Sequence, residues 1–494
     1  MQIKYGRYTA VSLIYLTVPV LLMLLGSLRL FIAIPASLVF ALCVFFITRY
    51  EHKEDANRKP LNISLKLLIT AAAVSLLWVF FCGVGEFSWT TADHMFRSAI
   101  FNDLIDYSWP VTYDKPEGIV GFVYYYAFWT PAALTGKLAG HMAGRVALLL
   151  YTVIGIVLIF IGTSFYGRKA SVLGLAILIL FSSLDIVPFF IKSSFFGYEG
   201  GFEPWNIYLN IHSNTFQLMN VFQQCVPGWL IACLLINGRS SRYVGTLGTL
   251  MLFYSPWATI GMIPTALYLL FKDKDPKRIF TLENCLPVLT GGLVLIPYYL
   301  SGNNGSSFPS YLLYDSAGDF ILAYILYLVF EIAIWYILLF PSRAVTPDDR
   351  FERNLLISFL PAFILLPLYK MGGESDDLLL RGTLLPAFVL CMIFTRKAVV
   401  AFDNHKKKQT LDAKGLTIVI AVILTFAIPV ILLMTSVAGT ISMYRENGPF
   451  NNPDTEIIGS IGQVNDEYYR DFVAEQFYAD SYIDSFFYNY LARR

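Results

Sequence analysis

Charge is what this sequence has least of. Only 14% of its 494 residues are Asp, Glu, Lys or Arg, against about 25% in an ordinary soluble domain. A soluble chain of this length needs a polar surface to cover its core, and this one has too little of it. A soluble enzyme, a disordered chain and a fibrous one are excluded. The 36 basic and 35 acidic residues nearly cancel. No global field recruits nucleic acid, and none is expected as a partner. Cysteine is sparse: six residues, all inside or beside apolar runs and none in a CxxC, so no disulfide framework is expected. Five scattered histidines with no HExxH give no dedicated zinc site. Walker A and strand–helix GxGxxG motifs are missing, which argues against ATP-driven transport by this chain alone. No internal repeat is obvious, and that counts against carriers built from two repeated halves.

What is present is apolar sequence. Hydrophobic residues make up 56% of the chain, and mean hydropathy is +0.59. A bilayer core needs about 20 apolar residues per helix. Runs of that kind fall near 9–25, 28–48, 65–84, 146–165, 170–188, 215–236, 281–300, 317–340, 353–370, 381–395 and 415–438. A further stretch, 243–270, is broken by Ser255-Pro256-Trp257. It reads as a short helical hairpin or two strongly bent spans. The first run lacks a cleavage signal and reads as a retained helix. The aromatic stretch 118–136 is ambiguous, and charge bias decides it. If it lies on or dips into the outer face, 24 of the 36 Lys and Arg fall in short connectors on one side. The expectation is an all-α polytopic membrane protein with about 13 membrane segments. A transmembrane domain, 1–438, carries an outer loop, 85–145, and precedes an outer-face helical tail, 439–494. The N-terminus is expected in the cytoplasm and the C-terminus outside.

The most informative outer segment is Trp89 to Pro110. Asp93, Arg97 and Ile100 repeat at helical spacing, as on a short interfacial helix with one polar face. Asp93 follows an apolar span directly, where desolvation suits a carboxylate to act as a base. The bland alternative is a helix cap after Thr90-Thr91. A second segment is Gly372 to Pro386. There Asp377 and Arg381, four apart, share a helix face. The planar fork of Arg381 suits a lipid phosphate; alternatively it pairs with Asp377 and snorkels. In the 189–214 loop, Glu199, Trp205, His212 and Asn214 offer stacking faces and polar groups of the kind that read a sugar, or an ordinary aromatic belt. Glu331 lies midway along an apolar run and is either a functional site or a protonated or paired core residue. Asp185 lies near the outer end of its run.

The arrangement over 65–190 resembles the GT-C class of integral membrane glycosyltransferases. There, an early span leads to an acidic outer loop, juxtamembrane helices, a Gly-rich turn and an Arg that opens the next span. The matching residues are Asp93, the stretch Tyr124 to Gly140, and Ala143-Gly144-Arg145. Two helices precede the loop where many members have one. No acidic pair stands beside the first helix, which leaves Asp103 and Asp106 as alternates to Asp93. The resemblance implies a sugar transfer from a polyprenyl-phosphate donor to an extracytoplasmic glycan, lipid or protein, in a bacterial inner membrane. Asp93 would be the base, Arg381 and Arg145 would bind lipid phosphate, and His94 and Asp377 would join the substrate contacts. Partners would be the lipid-linked donor and membrane lipids. No metal is expected to be held by the protein, although a divalent ion is compatible with the chemistry. The competing expectations are a lipid or polysaccharide carrier with Glu331 as coupling site, and a non-catalytic subunit of a surface-polysaccharide assembly.

Overall fold

A computed structural model describes every residue except 117, 197–202, 204, 207, 273, 303–305, 342–344, 373–375, 407–412, 465–473, 480, 481, 483 and 494. Eight of its helices are long and apolar enough to cross a bilayer: Tyr5–Ser27, Leu30–Asn57, His141–Gly167, Asn214–Gly238, Ala317–Leu339, Pro347–Leu368, Leu384–His405 and Gly415–Asn447. The chain is a multi-pass, essentially all-α membrane protein. Two further helices, Leu65–Phe81 and Leu282–Leu300, run between the same two ends of the bundle. At one end lie Met1, whose amino group meets the carbonyl of Ile63, and the basic connectors around Arg58, Arg239 and Lys272. This is the basic end. The other, the loop end, carries residues 85–140 and the C-terminal tail.

The Asn214–Gly238 helix is the axis of the bundle, its whole apolar stretch buried. Trp229 stacks on Trp78 from one side and on Phe388 from the other. The first helix is clamped to His141–Gly167 by a reciprocal tyrosine pair. Tyr15 and Tyr151 stack at 4.3 Å, and each hydroxyl donates to the other's backbone carbonyl, at 3.1 and 2.6 Å. Lipid tails drive no such contact hydrophobically, so close packing and hydrogen bonds supply the attraction.

Two apolar runs are not continuous spans. The run expected over 170–188 breaks: a nine-residue helix, Val172–Leu180, stops before Ser182-Ser183, and a second helix starts at Ile186. The break is tolerated because its free carbonyls find partners. Asn214 Nδ2 donates to Leu178 O at 2.8 Å, Thr215 Oγ1 to Ile179 O at 2.8 Å, and the Asn214 amide to Phe181 O at 3.0 Å. The run 243–270 is the hairpin read from its Ser-Pro-Trp centre. Val244–Tyr254 enters, Ser255 turns in extended geometry and caps the next helix, and Pro256–Phe271 returns. Both feet stand at the basic end, where Lys272 Nζ donates to Arg239 O and Thr281 Oγ1 to Arg242 O.

The segment 118–136 does not cross. It is a strand, Gly118–Phe122, followed by a short turn and a ten-residue helix, Thr130–Ala139. Ten residues reach about 15 Å, half a bilayer core. Tyr126 meets Ser27 at the loop end, and Lys137 binds the carbonyls of Ile105 and Tyr107 there. Two expectations need correction. The last long helix runs on to Asn447, past the expected boundary at 438. The tail beyond it, over its described residues, forms short 3-10 turns and one π-helical turn, Phe487–Leu491, rather than the longer helices expected. Its strand Tyr478–Ala479 joins Thr112–Lys115 and Gly118–Phe122 in a small antiparallel sheet. Arg29 pins the tail's end through Asn489 O and Ala492 O.

This topology predicts a labelling pattern. Asp114→Cys and Ala139→Cys should react with an impermeant thiol reagent from the same side of the membrane, and Lys59→Cys from the opposite side. Five of the six native cysteines are buried, so background is low. Labelling of position 139 together with position 59 would overturn the non-crossing segment.

Candidate functional site

The surface helix Asp93–Asp106 lies at the loop end and carries the first group of candidates. Asp93 Oδ2 accepts from Arg97 Nη2 at 2.9 Å, one helical turn apart. Half of the Asp93 side chain is exposed whereas Arg97 is buried. The desolvation expected at Asp93 is therefore absent, and what holds it is the guanidinium. Arg97 Nη1 reaches toward the Tyr124 hydroxyl at 3.5 Å. Tyr124 stacks on Tyr125 with ring centres 3.9 Å apart. Tyr298 fixes this pair by bonding both the amide and the carbonyl of Tyr124, at 2.9 and 2.8 Å.

Tyr125 leads to the second group. Its hydroxyl accepts from Gln224 Nε2 at 3.2 Å, and Gln224 Oε1 accepts from Ser255 Oγ, at the hairpin tip, at 2.8 Å. Asp377 and Arg381 lie within electrostatic range of the same hydroxyl. They pair at 3.4 Å on a six-residue helix of their own, Asp377–Gly382, rather than on the first turn of the long helix. Backbone contact seats this helix: a side chain at Gly261, on the returning arm of the hairpin, would strike Gly382 O at 1.7 Å. Glycine is the only residue that fits there. The two acid–arginine pairs, 284 residues apart, thus place both arginines within electrostatic range of the Tyr125 hydroxyl. In both arginines the Nε is buried and has no hydrogen-bond partner among the described residues. A buried guanidinium nitrogen left unpaired is costly, and an anion between the two would satisfy it.

The other candidates fall elsewhere. His94 Nε2 meets Met219 O at 2.6 Å, and burial, reinforced by Arg97, pushes its pKa down to about 4. It is a neutral donor tying the surface helix to the axial helix. His212 is half-buried against Phe216, and desolvation, with Arg381 nearby, lowers its pKa to about 3. It borders the Arg381 group and carries no charge at neutral pH. Arg145 Nε pairs with Glu86 at 2.9 Å, with Glu86 buried in the turn after Leu65–Phe81. Its charge is already answered. Asn214 closes the broken helix. Trp205 is fully buried and donates to Glu331 Oε1 at 2.6 Å. Glu331 sits on a π-helical turn, Leu328–Ala333, and lies beside Asp185, in the break after Leu180. Glu199 lies outside the described residues. Asp106 pairs with exposed His141 at 2.8 Å. Among the described residues no three His, Cys, Asp or Glu side chains converge as metal ligands. Two large cavities, about 870 and about 1010 Å³, are lined by other residues.

Sequence reading placed Arg97 on the polar face of its helix and the tyrosines in an interfacial aromatic stretch, and did not bring them together with Gln224 at one site. The i, i+4 spacing of Asp93 and Arg97 was the available signal for the first. The tyrosines carried none, because an interfacial aromatic run looks the same whether it anchors or bridges. Comparison with known proteins adds no family: no family model, curated protein or solved structure matches the chain.

Asp103 serves the tail. Its Oδ2 accepts from the Tyr113 hydroxyl at 2.6 Å and from the Ile461 amide at 2.9 Å. Burial pushes its pKa up from 3.8 to about 6, against those hydrogen bonds. A folded pKa above the unfolded one means that stability falls as pH rises through about 4 to about 6 and stays lost above. The loss amounts to about 3 kcal/mol at most, at about 1.4 kcal/mol per unit. The 448–494 tail should therefore resist protease better at pH 5 than at pH 8. Asp103→Asn should erase that difference, and His141→Gln should keep it. A pH dependence that survives Asp103→Asn would refute the assignment.

Proposed function

We propose that the chain is a membrane glycosyltransferase of the GT-C kind, transferring a sugar from a polyprenyl-phosphate donor to an acceptor hydroxyl at the loop end. In a bacterial inner membrane the basic end would face the cytoplasm, in keeping with its positive charge. What supports the reading is that Arg97 and the Asp377–Arg381 pair both lie within electrostatic range of the stacked Tyr124–Tyr125 pair. The chemistry asks for a base and for a cation, and the two pairs offer both.

In this mechanism Asp93 takes the acceptor's hydroxyl proton as the oxygen attacks the anomeric carbon. The bond from that carbon to the phosphate oxygen breaks, and the lipid phosphate leaves with its electron pair. Arg381 meets the growing negative charge with its unpaired Nε. Arg97 fixes the Asp93 carboxylate and lends a second guanidinium to the same anion. The Tyr124–Tyr125 stack, wedged on Gln224 and the hairpin tip, sets their spacing. Exposure of Asp93 on the loop side leaves a route for a polar acceptor, and burial of Arg381 suits a lipid-borne phosphate.

Asp93→Asn should abolish transfer while leaving expression and thermal unfolding unchanged. Near-normal turnover in that variant would refute the base. Arg381→Lys should keep part of the activity, since the charge stays and the planar fork goes. Arg381→Ala should cost at least about tenfold in efficiency, as a charged hydrogen bond is worth about 1.5–3 kcal/mol. Asp377→Ala should alter donor use far less. Unchanged donor affinity in Arg381→Ala would leave Arg381 as an interfacial anchor.

One observation favours a carrier instead. Two carboxyl groups, Asp185 and Glu331, lie together inside the bundle at a broken helix, an arrangement that suits a coupling site. Glu331→Gln separates the readings. A transferase should keep its turnover, and a proton-coupled carrier should lose coupled transport.

A further inference from the structure

The basic end holds a cavity of about 1010 Å³, on the opposite side of the bundle from the site above. Its size suits a headgroup or other small polar ligand. Tyr5 at the start of the first helix, Tyr166 at the end of a second and Gly238 at the end of a third form its floor. Five cations line it: Arg58, Lys59, Arg168, Arg239 and Arg396.

These cations are under-neutralised. Asp348 is the one carboxylate in the lining, and it serves two arginines at once, Arg168 at 2.6 Å and Arg239 at 2.7 Å. Glu352, fully buried behind the wall, serves Arg396 at 3.0 Å and Lys397 at 3.8 Å. Glu51, also buried, answers Arg58 at 2.6 Å. Lys59 is exposed and has no ion-pair partner among the described residues. Five lining cations thus meet three carboxylates, two of which are shared. The arginines are also held still. Arg58 lies over the Tyr5 ring at 4.5 Å, Arg239 over Phe351 at 4.3 Å and Arg396 over Tyr166 at 5.6 Å. Guanidinium groups fixed on aromatic faces present their remaining N–H groups without further loss of entropy, and their geometry matches phosphate oxygens.

We propose that this cavity binds a phosphate-bearing anion, either the headgroup of an anionic lipid or a free phosphate ester, at the basic end of the bundle. The shared carboxylates leave room for one more negative charge, and Arg168 and Lys59 stand at its rim. The lipid source fits a cavity opening among helix ends at the level where phospholipid phosphates lie, which also draws basic residues generally.

The experiment uses the full-length protein, delipidated in a neutral detergent, with the thermal unfolding midpoint as readout. Phosphatidylglycerol micelles, phosphatidylcholine micelles and inorganic phosphate are the three probes. Phosphatidylglycerol should raise the midpoint by several degrees and phosphatidylcholine should not. The gain should fall at least by half in Lys59→Gln/Arg168→Gln. Arg168 is mostly exposed, and Asp348 keeps Arg239, so this variant retains its fold. It should persist in Lys277→Gln/Arg278→Gln, which removes two charges from the same end outside the cavity. A shift reproduced by inorganic phosphate and lost in the rim variant supports the site with a free phosphate as its ligand. An equal gain in both variants means diffuse attraction to basic surface and overturns the proposal. So does an equal response to phosphatidylcholine, or no response to any probe.

Discussion

Hydrocarbon offers no partner to a freed backbone carbonyl, and this single constraint decides where the fold can be irregular. The chain interrupts its helices at Phe181–Leu184, at Ser255 and at the π-helical turn Leu328–Ala333. Each interruption lies against protein that answers it. Asn214 and Thr215 close the first; at the second, Tyr299 donates to the Leu252 carbonyl and Gln224 meets the Ser255 hydroxyl. On the third, Glu331 accepts from the Trp205 indole. Two of the three lie against the same axial helix, whose apolar stretch is wholly buried. Polar residues such as Asn214 and Gln224 therefore occupy a core where apolar side chains would pack as well.

The site inherits its geometry from those interruptions. The hairpin turns at mid-bundle because Ser255-Pro256 cannot continue a helix, and its tip reaches Gln224. Gln224 in turn holds Tyr125. The returning arm carries Gly261 against Gly382, seating the short helix that bears Arg381. From the other side the surface helix brings Asp93 and Arg97. Four segments far apart in sequence thus converge through neutral side-chain hydrogen bonds and one close backbone contact rather than by attraction between the charged groups. The charges at the site are placed by the fold and do not pay for it.

Much of this was legible in the residues. Apolar runs located the long helices, Ser255-Pro256-Trp257 marked the hairpin, and lysine and arginine bias separated the non-crossing 118–136 segment from a span. The pairing of Asp377 with Arg381 followed from their spacing. The break at Ser182-Ser183 did not show, because the run is apolar throughout and its cost is met by Asn214, some 30 residues on. The strand Tyr478–Ala479 was equally hidden, since two residues of a tail give no period to read. His94, Trp205 and Asn214 were read as sugar contacts because the same side chains serve recognition on a surface and backbone repair in a core. Only burial separates those uses, and burial of a polar residue depends on contacts distant in sequence.

The account rests on Arg97 and Arg381 addressing one anion across the tyrosine stack. A double-mutant cycle measures that directly. Binding of a short-chain polyprenyl phosphate to the purified protein would be compared in the parent, Arg97→Gln, Arg381→Gln and the double variant. Sites that share a ligand couple by about 0.5–3 kcal/mol, whereas independent ones add within about 0.3–0.5 kcal/mol. The account predicts a coupling of at least about 1 kcal/mol. Strict additivity, or binding that neither substitution changes, would contradict it.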